Sequence, residues 1–247
     1  MICTKLQGRL GNTLFQIASS YALCERFNRE FYLTNDWEYN QYMKNPLPII
    51  KGNRFVNTFT EVDFKFNEIS ESYDSIFGYF QTEKYFADYR NDILDLFDPS
   101  DSAKQQVLEE EFKLGAGTFC SIHVRRGDYL TFPDFHPVLG MDYYTSAMGL
   151  IHEIDPTTKF LVFSDDIEYC KTMFGDKVLY IENADPFINL LLMSRCNHNI
   201  IANSSLSWWG AWLRTSAGTT VAPAAWFGPR YEHLNTEDLL PKNWEKL

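Results

Sequence analysis

In the second half of the chain, short apolar runs recur at 118–124, 159–164, 177–182, 199–203 and 219–222. Between them, at about 141–153, 166–174, 187–196 and 204–216, apolar residues return every three or four positions. Runs of the first kind read as strands and the periodic stretches as helices. Strands that alternate with helices build βαβ units, whose parallel sheet is covered on both faces. The pattern thus predicts a doubly wound parallel sheet of five strands. The first half opens the same way, with a strand at 2–6, the turn Gly8-Arg9-Leu10-Gly11-Asn12, a helix from about 13 to 27 and a strand near 31–34. Residues 36–82 are rich in aromatics and Asn and yield only short strands, after which helices resume near 83–97 and 101–113. Gly115-Ala116-Gly117 reads as a hinge, because glycine tolerates unusual backbone angles. The expected organisation is an α/β domain over 1–115 and a second over 116–247. Two such Rossmann-like domains leave a cleft between their sheets, and ligands of open parallel sheets sit beyond the carboxyl ends of strands.

Composition narrows the partners. The chain is 45% hydrophobic and 22% charged, an ordinary globular balance. Its formal net charge of −11 argues against nucleic acid and anionic membrane as partners. Screening confines that field to roughly 8 Å at physiological salt, so a local arginine pair still dominates inside a cleft. The five cysteines are odd in number and form no Cys-x-x-Cys, which predicts a reducing compartment. The N-terminus carries no extended apolar stretch of the signal-peptide kind. No segment reaches the ~18 to 20 apolar residues that span a bilayer. A soluble, cytoplasmic protein that does not span a membrane is expected, and the Asn203-Ser204-Ser205 sequon is then not a glycosylation site.

The polar motifs fall at predicted strand ends. The run 120–129, Cys-Ser-Ile-His-Val-Arg-Arg-Gly-Asp-Tyr, delivers His123, Arg125 and Arg126 to the end of an apolar strand, where Gly127 lets the chain turn. Adjacent side chains of an extended segment point to opposite sides. One guanidinium, of Arg125 or of Arg126, can therefore face the cleft and the other a structural carboxylate. The planar guanidinium fork matches phosphate oxygens bidentately. Asp128 either orients an arginine or contacts substrate. The bland alternative is a surface strand end with an incidental salt bridge.

Each companion motif has its own bland alternative. Gly8 to Asn12 forms a tight strand-to-helix turn without the Gly-x-Gly-x-x-Gly spacing of a dinucleotide site, and Asn12 alternatively reads as an N-cap. Phe163-Ser164-Asp165-Asp166 ends a strand, where capping by itself accounts for an acidic pair. No Asp-x-Asp occurs in the chain, so neither a divalent metal nor another cofactor is expected. Asn203, Ser204 and Ser205 precede a helix start that suits an anion. Trp208, Trp209 and Trp212 read as core. No Gly-x-Ser-x-Gly elbow surrounds the serines, and nothing marks His136 or His152.

Taken in order, Gly8–Gln16, Gly78–Phe86, the His-x-Arg-Arg-Gly-Asp-Tyr block, Phe163–Asp166 and Asn203-Ser204-Ser205-x-Ser207-Trp208-Trp209-Gly210 resemble glycosyltransferase family 11. Characterised members of that family are largely α-1,2-fucosyltransferases. The resemblance implies a two-domain GT-B architecture, metal-independent use of GDP-fucose and inversion at the anomeric centre. It implies Arg125 or Arg126 on the β-phosphate, His123 with the Phe163-Ser164-Asp165-Asp166 turn near the guanosine, and Ser204 and Ser205 near the phosphates or fucose. The Arg9 and Asn12 turn also looks like one in protein O-fucosyltransferases that faces the reacting centre and acceptor. Family members usually carry two glycines before Leu-Gly-Asn-Gln; here Arg9 replaces the second and Thr13 the Gln. The reaction implied is displacement of GDP by a hydroxyl of a galactose-like sugar, with Asp128 as either base or orienting group. Two rivals are a transferase using another nucleotide sugar and a nucleotide- or glycan-binding protein without catalysis.

Overall fold

A computed structural model describes residues 2–51, 56–183 and 185–247. The chain forms two compact units, one of residues 1–106 with 234–241 and one of 107–233 with 242–247.

In the first unit, β1 (Ile2–Thr4) leads through Gly8 into α1 (Leu10–Arg26), followed by β2 (Phe31–Leu33), β3 (Thr58–Thr60), β4 (Ser75–Phe77) and α2 (Arg90–Leu96). The strands are parallel, in the order β2-β1-β4-β3. The two short strands β3 and β4 lie in the aromatic-rich stretch 36–82, of which 52–55 fall outside the described residues. Strand β1 is buried throughout and pairs on both edges, Cys3 with Tyr32 and with Ser75. Helix α1 packs Leu14, Phe15, Ile17 and Ala18 against the sheet. Its Gln16 side chain also clamps the exit of β1, accepting from the Gln7 N–H (2.9 Å) and donating to the Gln7 carbonyl (3.0 Å).

Two expectations are corrected here. The first helix starts at Leu10, not near 13, with Arg9 as its N-cap, so Asn12 lies inside the first turn and is not the cap. Gly8 allows this: its φ of +84° is a glycine conformation, and it turns the chain immediately into the helix. Residues 83–97 are not one helix but two 3-10 turns and then α2. The break falls at Phe86, whose ψ of 0° departs from the helix while its ring is buried against Phe15.

Helix α3 (Asp101–Leu114) carries the chain from the first unit to the second. The units therefore divide inside this helix, at 106/107, instead of at the glycines expected to hinge at 115–117. Gly115 instead terminates α3 in the left-handed region (φ +72°), its N–H returning to the Glu111 carbonyl.

The second unit then runs β5 (Phe119–Val124), α4 (Met141–Ile154), β6 (Lys159–Ser164), α5 (Ile167–Phe174), β7 (Leu179–Tyr180), α6 (Pro186–Arg195), β8 (His198–Ile200), α7 (Ser205–Trp212), β9 (Thr220–Ala222) and β10 (Glu245–Lys246). All pairings are parallel, in the order β10-β9-β8-β5-β6-β7. The five expected strands are present, and β10 is an addition. On one face Cys120, Ile122, Val124, Phe160 and Val162 pack with Tyr144, Ala147 and Ile151 of α4 and Cys170 of α5. On the other, the buried Asn199 amide donates to Ser121 Oγ (2.7 Å) and to the Met193 carbonyl of α6 (2.8 Å). Trp208, Trp209 and Trp212 are buried core side chains, as their spacing suggested. All five cysteines are buried thiols outside any disulfide. Among the described residues, no helix is long and apolar enough to cross a membrane.

Each strand order places a switch point. In the second unit the chain moves from β5 outward to β6 and β7, then returns so that β8 lies on the other side of β5. In the first, β1 leads to β2 on one side, and β4 later pairs with its other edge. The crevices beyond β5 and β8, and beyond β1 and β4, are where open parallel sheets receive ligands.

Candidate functional site

The exit of β5 meets the exits of β6 and β8. At the end of β5, His123 is buried at 4% exposure, and its Nδ1 has no hydrogen-bond partner among the described residues. Burial pushes the imidazole down to about 4, with the Arg125 charge adding to the effect and Asp165 opposing it. The ring is therefore neutral at physiological pH. An unfolded histidine ionises near 6.5, so between about 4 and 6.5 the folded chain binds fewer protons here than the unfolded one. Stability then falls as pH falls through that window. Between pH 7 and pH 5, wild type is expected to lose about 2 kcal/mol more than a His123→Asn variant. Urea titrations at the two pH values read this directly, and equal losses in both proteins would rule out a neutral buried ring.

The arginines take different partners. Arg125 pairs with Asp165 (Nη1 to Oδ2, 2.5 Å) and with Asp128, while its guanidinium lies 5.4 Å from the Tyr129 ring centroid. Arg126 donates from Nε to Asp166 Oδ2 (3.0 Å) and lies over Tyr169, its Cζ 3.4 Å from that ring's centroid. The Arg126 N–H donates to Asp165 Oδ1 (3.0 Å), so a single carboxylate ties the backbone of one arginine to the side chain of the other. Both guanidiniums thus meet carboxylates, where the alternating pattern gave only one such a partner. The pleat separates them all the same: Arg126 is fixed under α5, and Arg125 stays with the turn that follows β5.

The acidic pair serves this arrangement. Asp166 is the N-cap of α5 and accepts the Tyr169 N–H. The Arg126 side chain, followed by that N–H, holds its carboxyl below the usual range. Ser164 Oγ accepts the Asp166 N–H (2.9 Å) and shapes the turn. Gly127 is required by close approach, since a Cβ there would lie 2.5 Å from Asp165 Oδ2.

From β8, Asn203 closes the crevice. Its buried amide donates to the carbonyls of Pro137 (3.0 Å) and Trp226 (3.1 Å), and its own carbonyl accepts the Tyr129 hydroxyl (2.8 Å). Ser204 is the N-cap of α7, and no cap hydrogen bond from its side chain is present among the described residues; Ser205 begins the helix. The structure thus brings His123, Arg125, Arg126, Asp128, Ser164, Asp165, Asp166 and Asn203 into one connected set, with Ser204 and Ser205 at its border. Sequence reasoning passed over His136, whose ring stacks on Tyr129 (4.6 Å, 16°) and is bounded by Phe227 and Tyr231. Burial pushes its pKa down, and the charges of Asp128 and Arg125 both reach it. Only the shared aromatic character of Tyr129 and His136 hinted at this contact.

In the first unit, Arg9 is exposed at the N-terminus of α1. The Asn12 side chain folds back over Gly8, where a Cβ would lie 2.6 Å from Asn12 Nδ2. Its Oδ1 accepts from Gln81 Nε2 (2.9 Å), which joins the exits of β1 and β4. Gln81 lies in the quoted 78–86 motif but drew no role from the sequence.

Among the described residues, no three His, Cys, Asp or Glu side chains come together as a group able to hold a metal ion. The carboxylates beside the arginines are engaged with guanidiniums and backbone N–H groups.

The model of glycosyl transferase family 11 matches residues 1–247. An alpha-1,2-colitosyltransferase of Escherichia coli is 28% identical, over 100% of this chain and 99% of its own length. The O-antigen biosynthesis glycosyltransferase WbnK of the same species is 30% identical, over 94% of this chain and 97% of its own. Galactoside alpha-(1,2)-fucosyltransferase 2 of Hylobates lar is 24% identical, over 87% and 68%. Among solved structures, the fucosyltransferase NodZ from Bradyrhizobium superposes with a TM-score of 0.57 at 13% identity, covering 85% of this chain and 92% of that one. POFUT1 in complex with GDP-fucose superposes with a TM-score of 0.56 at 11% identity, covering 90% and 96%. At these identities the superpositions speak for the α/β fold with parallel sheets.

Proposed function

The chain belongs to glycosyl transferase family 11, and from that membership we propose that it moves fucose from GDP-fucose to a hydroxyl of a galactose-like sugar. It is a glycosyltransferase of the α-1,2-fucosyltransferase type. The observation that carries the finer reading is the arginine held at the β5/β8 switch point. Arg125 stays at the turn that follows β5, between Asp165 and Asp128, whereas Arg126 is pinned under α5 between Asp166 and Tyr169. Arg125 is accordingly the phosphate grip and Arg126 its anchor.

In this mechanism the acceptor oxygen forms a bond to C1 of fucose as the bond from C1 to the β-phosphate oxygen breaks. The configuration inverts, the hydroxyl proton passes to water as the new bond forms, and GDP departs with the bonding pair. Negative charge grows on the β-phosphate, where a fixed guanidinium is already desolvated and needs no reorganisation. The neutral His123, Ser164 and the start of α7 complete the donor side, with Ser204 and Ser205 directed to phosphate or fucose. Asp128 orients Arg125, in keeping with their ion pair. The Arg9 and Asn12 turn meets the acceptor. Neither a metal nor a cofactor takes part, a reading supported by the missing Asp-x-Asp and by carboxylates already committed to arginines.

The deciding experiment offers GDP-fucose with a panel of β-galactosides and analyses the product linkage. An α-1,2-fucosylated galactoside is expected. Stabilisation of the protein by UDP but not GDP in a thermal-shift panel would sink the donor assignment. GDP release without acceptor separates a transferase from a binding protein. A second reading, colitose in place of fucose, is favoured by the alpha-1,2-colitosyltransferase that aligns over the whole chain. Comparing kcat/KM for GDP-colitose and GDP-fucose decides between the two sugars.

A further inference from the structure

Glu61 follows directly on β3, at the same carboxyl edge of the first sheet as the Gly8–Asn12 and Gly78–Gln81 turns. Its carboxylate accepts the Tyr79 N–H (2.6 Å) and the Phe80 N–H (3.0 Å to each oxygen). Two successive backbone N–H groups converging on an anion form a nest, and here the anion is internal. The turn that makes the nest is unusual. Phe80 has φ +54°, a left-handed conformation that side-chain-bearing residues rarely adopt, while its ring is buried against Tyr85 (5.3 Å). Gly78 is needed for the same approach, since a Cβ there would lie 2.4 Å from Glu61 Cβ. The next residue is Gln81, which is buried and donates to Asn12 Oδ1. Because that oxygen accepts from Gln81, the Asn12 Nδ2 is turned toward Gly8 and the mouth of the β1/β4 crevice.

We propose that Glu61 is a positioning residue for the acceptor side: its carboxylate holds the strained 78–80 turn, the turn places Gln81, and Gln81 fixes the orientation of the Asn12 amide. The inference rests on the reading that the Arg9 and Asn12 turn meets the acceptor. Its consequence is a dependence on pH. Burial pushes the Glu61 carboxyl up to about 7, with the Phe80 and Tyr79 N–H groups working against it and Asp63 adding to it. Among the described residues Tyr85 also faces it, itself pushed up to about 12 by burial and so neutral in this range. Below pH 7 Glu61 takes up a proton, gives up acceptor strength toward the two N–H groups, and slackens the turn. Above it the turn is held.

The test measures kcat and KM for the galactoside acceptor from pH 6 to 8 in wild type, Glu61→Gln, Gln81→Ala and Asn12→Ala. Side-chain amide NMR signals of Asn12 are followed over the same range. In wild type, acceptor KM is expected to fall about tenfold as pH rises through about 7, with GDP affinity unchanged, and the Asn12 signals to titrate with the same midpoint. Glu61→Gln is expected to keep the high KM at every pH and to abolish the Asn12 titration. Gln81→Ala, which cuts the link downstream, is expected to show the same KM defect. An Asn12 signal that titrates in Glu61→Gln as in wild type overturns the proposal. If the titration is lost but acceptor KM is unmoved in Glu61→Gln and in Asn12→Ala alike, the positioning chain stands and the acceptor-side reading of the turn is what fails.

Discussion

Arg125→Ala is expected to lower transfer from the nucleotide-sugar donor by about 100- to 1,000-fold, the scale of removing one preorganised donor from a developing oxyanion. GDP affinity should fall less, by roughly 10- to 100-fold, as for a lost charge-assisted hydrogen bond. The difference between the two losses measures how much of the grip forms only in the transition state. Arg125→Lys should recover little of either, because an ammonium cannot span two phosphate oxygens with a planar fork. Arg126→Ala is expected to behave otherwise. It removes the stack on Tyr169 and the partner of the α5 cap, so thermal stability falls and turnover follows only in part. Titration calorimetry with GDP and initial rates on the same preparations separate the two residues. If Arg126 and not Arg125 carries the GDP affinity, the assignment of grip and anchor is reversed.

Asn203→Ala is expected to cost about 2 to 3 kcal/mol, because it leaves the buried carbonyl of Trp226 and the half-buried carbonyl of Pro137 without their donor. In a chain of this length such a loss corresponds to a fall in melting temperature on the order of 10 °C. Asn203→Asp should be no better, since an ionised carboxylate donates nothing and adds a buried charge. The expected damage is to the loop around Pro137 and the stacked Tyr129 and His136, and GDP affinity falls as a consequence of it. Unchanged melting with weakened GDP binding would show that the amide serves the ligand and that its two carbonyl contacts are incidental.

These expectations differ in how far they were legible in the residues. Strands β5 and β6 announce themselves because both of their faces are buried, which leaves short runs of mostly apolar residues. Strand β10 is two exposed charged residues, Glu245 and Lys246, and exists only because β9 offers it an edge. Strands β3 and β4 have three residues each and are secured by polar clamps, such as Asp74 accepting the N–H groups of Val56 and Asn57, that leave no periodicity. The β5 motif reads as the proposed grip, but the choice between its arginines rests on Tyr169, a residue whose place beneath Arg126 is settled by the capping of α5. Asn203 was read as a ligand group because amides beside a helix start so often are. Its two carbonyl partners lie 66 and 23 residues away, out of range of any local pattern. Glu61 shows the same limit, since a glutamate after a three-residue strand looks like surface until the turn it holds is seen.

The return of residues 234–241 to the first unit has a consequence for how the chain comes into being. Asp238 pairs with Lys84 and accepts the Phe66 N–H (3.0 Å), Asn235 accepts the Phe64 N–H through its carbonyl (3.1 Å), and Leu239 and Leu240 are buried. On the ribosome, the first unit therefore stays without its last segment until nearly all of the second has been made. The segment that completes it is separated from α3 by the whole of the β5–β9 succession. A fragment ending at residue 233 would leave Phe64, Phe66 and Lys84 without these partners. The two units are compact each by itself but not separate in their synthesis, so a swap of the second unit between relatives has to carry two junctions near its C-terminal end, at 233/234 and 241/242, as well as the one within α3.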